Sequence, residues 1–271
     1  MISDDLSALS AADQRVVSQQ WVQRWDLLTA LIARDIKLRY RRSLLGILWT
    51  LLNPLAELLV LFFVFEVVLQ VKIPHFGVYL FMGLLVYGWF QSSVNYATGA
   101  IVGNRELVRR PGVPTAILPV VTVASNLVHF LLSLPILGGL LVIDHVQITS
   151  AIVALPFLIV IQFALILGVS YPVSTIHVWF RDTQHVLRIA LQLLFYMTPV
   201  FYEADQVPTR FQALHLLNPL AHLVTMYRSV LLRGEWPAGA SLLYLTLLSS
   251  VLLVIGVTAF RWASTRFADE L

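Results

Sequence analysis

Two long stretches of this chain, 76–102 and 116–143, contain no Asp, Glu, Lys or Arg. Residues 146–180 and 238–260 are equally free of charge, and 43–71 is interrupted only by Glu57 and Glu66. A helix needs about 20 mostly apolar residues to cross a bilayer, so each of these runs is long enough. The run 189–202 is too short alone and just reaches a crossing together with 183–188. The sequence therefore predicts an all-α polytopic membrane protein with six transmembrane helices, the fifth being the weakest. The composition agrees: 58% of residues are hydrophobic and only 12% charged, about half the charge of an ordinary soluble domain. With no cysteine, a disulfide framework, a thiolate metal site and a cysteine nucleophile are all excluded.

The basic residues set the orientation. Fourteen of the 18 Lys and Arg fall in four segments that six crossings place on one side: the stretch up to Arg42, the loop 103–115, the turn 179–188 and the C-terminus. Lys72, Arg210, Arg228 and Arg233 fall on the other. Both termini are thus expected in the cytoplasm and 203–237 outside. Residues 1–20 are polar and acidic, with the character of a mobile cytoplasmic tail rather than a signal peptide. A six-helix domain is expected over 43–263, with a cytoplasmic C-terminus at 264–271.

Between tail and first crossing, residues 21–42 carry a helical pattern. Trp21, Trp25, Leu28, Ile32 and Ile36 recur at spacings of three and four, on one face, while Arg24, Arg34, Lys37 and Arg41 lie away from it. Such a helix suits the membrane interface, with Arg34, Lys37, Arg39, Arg41 and Arg42 at anionic headgroups. The same pattern would also serve a cytoplasmic helix packed on a neighbour.

Polar residues at membrane depth are the candidates for function. Glu57 falls about 20 Å up the first helix at 1.5 Å per residue, near the midplane, where it lines a polar pathway or closes a buried hydrogen bond. Glu66 falls near the outer surface. In the second crossing "VYGWFQSSVNY" mixes Tyr87, Trp89, Phe90 and Tyr96 with Gln91, Ser92, Ser93 and Asn95. Aromatic faces beside amides and hydroxyls suit sugar rings; the aromatic belt of the interface also accounts for Tyr87 and Trp89. The loop "NRELVRR" predicts a short helix over 104–110, with Asn104 as a cap, Glu106 in the first turn and Arg109 and Arg110 in the last. It is either a lever for a partner or an ordinary basic loop. Asn218-Pro219 reads as a helix start, within a short helix or helical hairpin dipping into the outer face. The hexapeptide "LLNPLA" occurs at both 51–56 and 216–221, with flanks that do not match.

Enzyme signals are poor. The two lysines, Lys37 and Lys72, do not follow a glycine-rich loop, so the chain has no P-loop for nucleotide phosphates. No HExxH occurs, and no acid or histidine cluster for base or metal work can be assembled.

Four blocks, "RDIKLRYRRSLLGILWTLLNPL", "NRELVRRPGVPTAILP", "WFRDTQHVLRIALQLLFYMTPVFY" and "LLNPLAHLVTMYRSVLLRGEWP", together resemble the permease subunit of ABC-2 type exporters, in the branch that moves O-antigen, capsule or teichoic-acid polymers. The resemblance implies a bacterial inner-membrane homodimer with an N-terminal interfacial helix and a channel between protomers. It implies two copies of a cytoplasmic ATPase subunit that binds the ATP and Mg, no cofactor or metal on this chain, and a lipid-linked polysaccharide as cargo. Nucleic acid has no place in it. The chain would be a permease, not an enzyme. Residues 104–110 (Asn104, Arg105, Glu106, Leu107, Arg109, Arg110) would couple ATPase closure to the channel, with Arg181 and Asp182 in a second contact. Short re-entrant helices in 203–237 would form an external gate, with Asn218, Pro219, Tyr227 and Arg228 at the family's positions. Glu57, Tyr87, Trp89, Phe90, Gln91, Ser92, Asn95 and Tyr96 would line the substrate path, and the basic residues 34–42 would meet headgroups or substrate phosphate. This chain departs from the pattern at Arg110, at Val113 before Pro114, and at Pro111-Gly112, which would end the coupling helix early. An ABC-2 exporter of drugs or small lipids, and a polytopic membrane glycosyl- or acyltransferase, are the competing readings.

Overall fold

The computed structural model describes residues 25–110 and 113–271; the expected tail, Trp21 and the Pro111-Gly112 break lie outside them. Every regular element among the described residues is helical. A first helix, α1 (25–39), ends in a turn where Arg42 takes φ 66°. The chain then enters α2 (Trp49–Phe62) through a 3-10 turn at Gly46–Leu48 and leaves it through a π turn at Phe63–Val68. There follow α3 (Phe76–Thr98), the short α4 (Arg105–Val108), α5 (Ile117–Ile143), α6 (Leu155–Trp179) and α7 (Thr183–Met197). The C-terminal part holds α8 (Gln212–Leu217), α9 (Pro219–Arg228), α10 (Gly239–Ser264) and the short α11 (Phe267–Glu270).

Five of these helices are long and apolar enough to cross a membrane: Gly46–Val68, Phe76–Thr98, Ile117–Ile143, Ser150–Trp179 and Gly239–Ser264. The weakest expected crossing, α7, has 15 residues, about 22 Å at 1.5 Å per residue, short of the roughly 30 Å hydrocarbon core.

The least apolar of the five spans, α3, is the most enclosed. Most of α3 is buried, whereas Leu58 is the one buried residue of α2. Lipid solvates Leu and Val as well as protein does, so burial in such a bundle goes to polar and aromatic residues that gain from protein neighbours. Around α3 pack α2, α5, α6, α7 and α9. Trp89 stacks on Phe130 of α5, and Tyr87 meets Phe195 of α7 edge-on. On the far side α6 and α10 approach backbone to backbone. A Cβ at Gly256 would sit 2.7 Å from the Gly168 carbonyl oxygen, so small residues are required for the contact.

The inward face of α1 keeps three of the expected positions and adds Leu31. Leu31 is buried and Leu28, Ile32 and Ile36 are half-buried, but Trp25 is 66% exposed. The inward stripe continues through Asp35 and Arg39, because those two side chains pair with each other at 2.9 Å and Arg39 bonds into the bundle.

Candidate functional site

A cleft of about 370 Å³ opens where the end of α1 meets α2, α3 and α5. Three helical stripes face into it. Trp49, Asn53 and Glu57 recur every four residues along α2; Leu85, Trp89, Ser92 and Tyr96 follow α3 at threes and fours; Asn126, His129, Phe130 and Ser133 follow α5. Gln91, also of α3, and Tyr40, beyond α1, complete the wall. Pro54 lies inside α2. Having no N–H, it leaves the Thr50 carbonyl without its helical donor, and Thr50 lines the same cleft.

Arg39 closes one end. It donates through Nη1 to Asn126 Oδ1 at 2.8 Å and through Nη2 to Asp35 Oδ2 at 2.9 Å. Its guanidinium lies 4.0 Å from the centre of the Tyr96 ring, a cation–π contact. Asn126 is in turn held by its own Nδ2 donating to Thr122 O. The Tyr40 ring meets His129 edge-on at 5.7 Å. Burial raises the Tyr40 phenol above its ordinary pKa, with Arg39 pulling the other way, so it enters as a neutral hydroxyl. By contrast Asn53, Glu57, Gln91 and Ser92 make no hydrogen bond to any described residue, and His129 Nε2 is buried without a partner. The cleft thus presents unspent donors and acceptors beside aromatic faces, with one carboxylate and one neutralised cation.

Of the residues singled out for the substrate path, Glu57, Trp89, Gln91, Ser92 and Tyr96 come together here. Tyr87 and Phe90 do not: both are buried, and the Tyr87 hydroxyl donates to Leu191 O on the α7 side of α3. Asn95 is half-buried off the cleft, its Oδ1 unpartnered. The contribution of α5 was missed by the sequence reading. Its signal was present, since Asn126, His129 and Ser133 fall at helical spacing in a run without charge.

The loop after α3 holds the residues expected to contact a partner. Its regular helix is only Arg105–Val108, preceded by a 3-10 turn at Val102–Asn104, rather than the expected 104–110. Asn104 does not cap it by side chain. Instead its Oδ1 accepts from Arg34 Nη2 at 2.5 Å and its Nδ2 donates to Ala100 O, tying α1 to this loop. Arg105, Glu106, Arg109 and Arg110 are exposed and Leu107 is half-buried; Arg181 and Asp182 are exposed on the turn before α7. Lys37, Arg41 and Arg42 are exposed as well.

The residues assigned to an outer gate are enclosed. Asn218 starts α9, its Oδ1 accepting from Leu220 N at 3.0 Å with Pro219 in the first turn, as the dipeptide predicts. Its Nδ2 reaches Met197 O and Thr198 Oγ1 at the end of α7. Tyr227 is buried against Phe130. Arg228, 4% exposed, donates to the carbonyls of Pro199 at 2.6 Å, Val200 at 2.7 Å and Tyr79 at 3.0 Å. Its guanidinium also covers the Tyr79 ring at 3.3 Å. Burial lowers its pKa to about 10, so it stays charged at neutral pH. No group of three or more His, Asp or Glu able to hold a metal occurs among the described residues.

The sequence profile of the ABC-2 type transporter family matches residues 26–232. The chain belongs to that family. Curated relatives align along nearly their whole length. An O-antigen export system permease protein RfbA of Myxococcus xanthus is 36% identical over 247 residues, covering 90% of this chain and 95% of the relative. RfbA of Klebsiella pneumoniae is 31% identical, covering 91% and 95%. The polysialic acid transport protein KpsM of Escherichia coli is 29% identical, covering 86% and 91%. The profile takes in α1 from its second described residue, α2 through α9 and most of the π turn at Ser229–Arg233. The cleft, the loop around α4 and the Arg228 contacts all lie inside the ABC-2 region.

Proposed function

We propose that this chain is the permease subunit of an ABC exporter that passes a lipid-linked polysaccharide, of O-antigen, capsule or teichoic-acid type, across the inner membrane. The energy comes from ATP hydrolysed on a separate cytoplasmic subunit, two copies of which serve a permease homodimer. The observation that carries this reading is the end-to-end similarity to permeases named for O-antigen export and polysialic acid transport. The cleft supports it, because amides, a carboxylate and aromatic faces recognise sugar better than they accommodate an apolar drug.

In this arrangement α7 crosses with the help of 198–202, completing six spans and putting both termini in the cytoplasm. The exposed charges of 105–110, with Arg181 and Asp182, then face the ATPase, and α1 lies at the membrane interface. The segment 203–237 closes the outer side as two short helices, α8 and α9, anchored by Asn218 and Arg228. Deleting the gene from its host tests the proposal. Surface polysaccharide should fall to background while lipid-linked polymer accumulates inside, and the wild-type gene should restore export. Unchanged surface polymer in the deletion strain contradicts it.

A further inference from the structure

Resting on the reading as a polysaccharide exporter, we infer that the cleft between α2, α3 and α5 is a subsite for an uncharged hexopyranose unit, and that Glu57 makes it discriminate against acidic sugars. Its volume, about 370 Å³, lies in the range of about 300–1,000 Å³ usual for small-ligand pockets. A pyranose ring carries apolar C–H faces and a rim of hydroxyls that both donate and accept. The cleft answers both needs. Trp49 is 45% and Tyr96 52% exposed, offering ring faces. Asn53, Gln91 and Ser92 supply donors and acceptors not used by any described residue, and Glu57 is an acceptor that can take two hydroxyls at once. His129 of α5 lines the same cleft.

The charges decide which sugar. Arg39, the one Lys or Arg on the wall among the described residues, already has both terminal nitrogens engaged, one by Asn126 and one by the carboxylate of Asp35. Glu57 has no cation within ion-pair distance among the described residues. An entering carboxylate or phosphate would find no free cation to pair with here, and an ionised Glu57 would repel it. A hydroxyl or hydroxymethyl group at the same position would instead donate to Glu57.

The test uses the purified full-length chain in lipid nanodiscs at pH 8, where an ordinary imidazole is neutral. Saturation-transfer NMR is recorded with methyl glucoside, galactoside and mannoside, and with the matching uronates. We expect transfer to at least one neutral glycoside, at least about fivefold stronger than to its uronate. Glu57→Gln should bring that pair to within about twofold of each other, and Asn53→Asp, which adds a second carboxylate, should widen the gap. Absence of transfer to every neutral glycoside overturns the inference. So does a wild-type signal equal for glycoside and uronate, or an unchanged ratio in Glu57→Gln. Should Glu57→Gln fail to fold, the wild-type ratio and Asn53→Asp decide alone. The deletion and complementation assay for surface polymer runs in parallel. Normal export by the wild-type gene together with no sugar selectivity sinks this subsite and leaves the export reading standing; unchanged surface polymer in the deletion strain sinks the reading itself.

Discussion

Arg228 donates from one guanidinium to three carbonyls, two of which, on Pro199 and Val200, accept from no other described donor. Planar, forked donors can span carbonyls that a single ammonium cannot. Replacing it with alanine strands those acceptors in a buried site, so Arg228→Ala should lower stability to SDS-induced unfolding by on the order of 3 kcal/mol. Arg228→Lys should recover less than half of that. Gly83 belongs to the same contact, since a Cβ there would lie 2.9 Å from Arg228 Nη2. Losing the cap of α9 through Asn218→Ala should cost about 1–2 kcal/mol in the same assay. The two "LLNPLA" copies show what sequence can and cannot tell at this scale. At 216–221 the Asn-Pro pair starts a helix, as its local chemistry predicts. At 51–56 the same pair sits inside α2, where Asn53 faces the cleft. Local preference is identical in both; the neighbouring chain and packing choose between them.

At the scale of elements, the spans were legible wherever charge was absent for long enough, because the bilayer's demand for uncharged length is written directly into composition. What packs against what was not legible. Apolar periodicity is flat in α3, since it is enclosed on nearly every side, and the stripe on α5 that completes the cleft was read only as part of a crossing. The helix after α3 ends at Val108, short of the expected Arg110, in keeping with a proline at 111, which disfavours helical backbone in the residue before it. The α6–α10 contact has a specific consequence. Gly256→Leu must push the two backbones apart, and should lower the SDS unfolding midpoint by about 1–3 kcal/mol, whereas the same change at Gly239, which has open space around it, should be mild. The exposed charges on α4 and beside it make no side-chain hydrogen bond or ion pair to any described residue. Alanine at both Glu106 and Arg109 should therefore leave folding and insertion unchanged, by gel filtration and protease protection, while reducing transport-coupled ATPase activity severalfold. Intact coupling in that double variant would remove this loop from the mechanism.

At the scale of the whole molecule, the bundle leaves much of α2 and α7 uncovered. Leu59, Val60 and Phe63 on one side and Val186, Ile189 and Leu193 on the other are all more than half exposed. Lipid or a second copy can cover such faces, and a channel between two protomers would draw on them. The sequence carried the membrane class through its uncharged runs, a property of the single chain, and the family through four blocks of residues taken together. It did not carry the site in full, because the cleft is assembled from four segments whose polar residues are each unremarkable alone. The central proposal is that this chain is a permease driven from outside itself. The most direct measurement is ATP hydrolysis in proteoliposomes containing the chain together with the ATP-binding subunit from its own host, with and without lipid-linked glycan. We predict that the two co-purify and that the glycan accelerates hydrolysis severalfold only when this chain is present. Failure to co-purify, or hydrolysis indifferent to the permease and to the glycan alike, would contradict it.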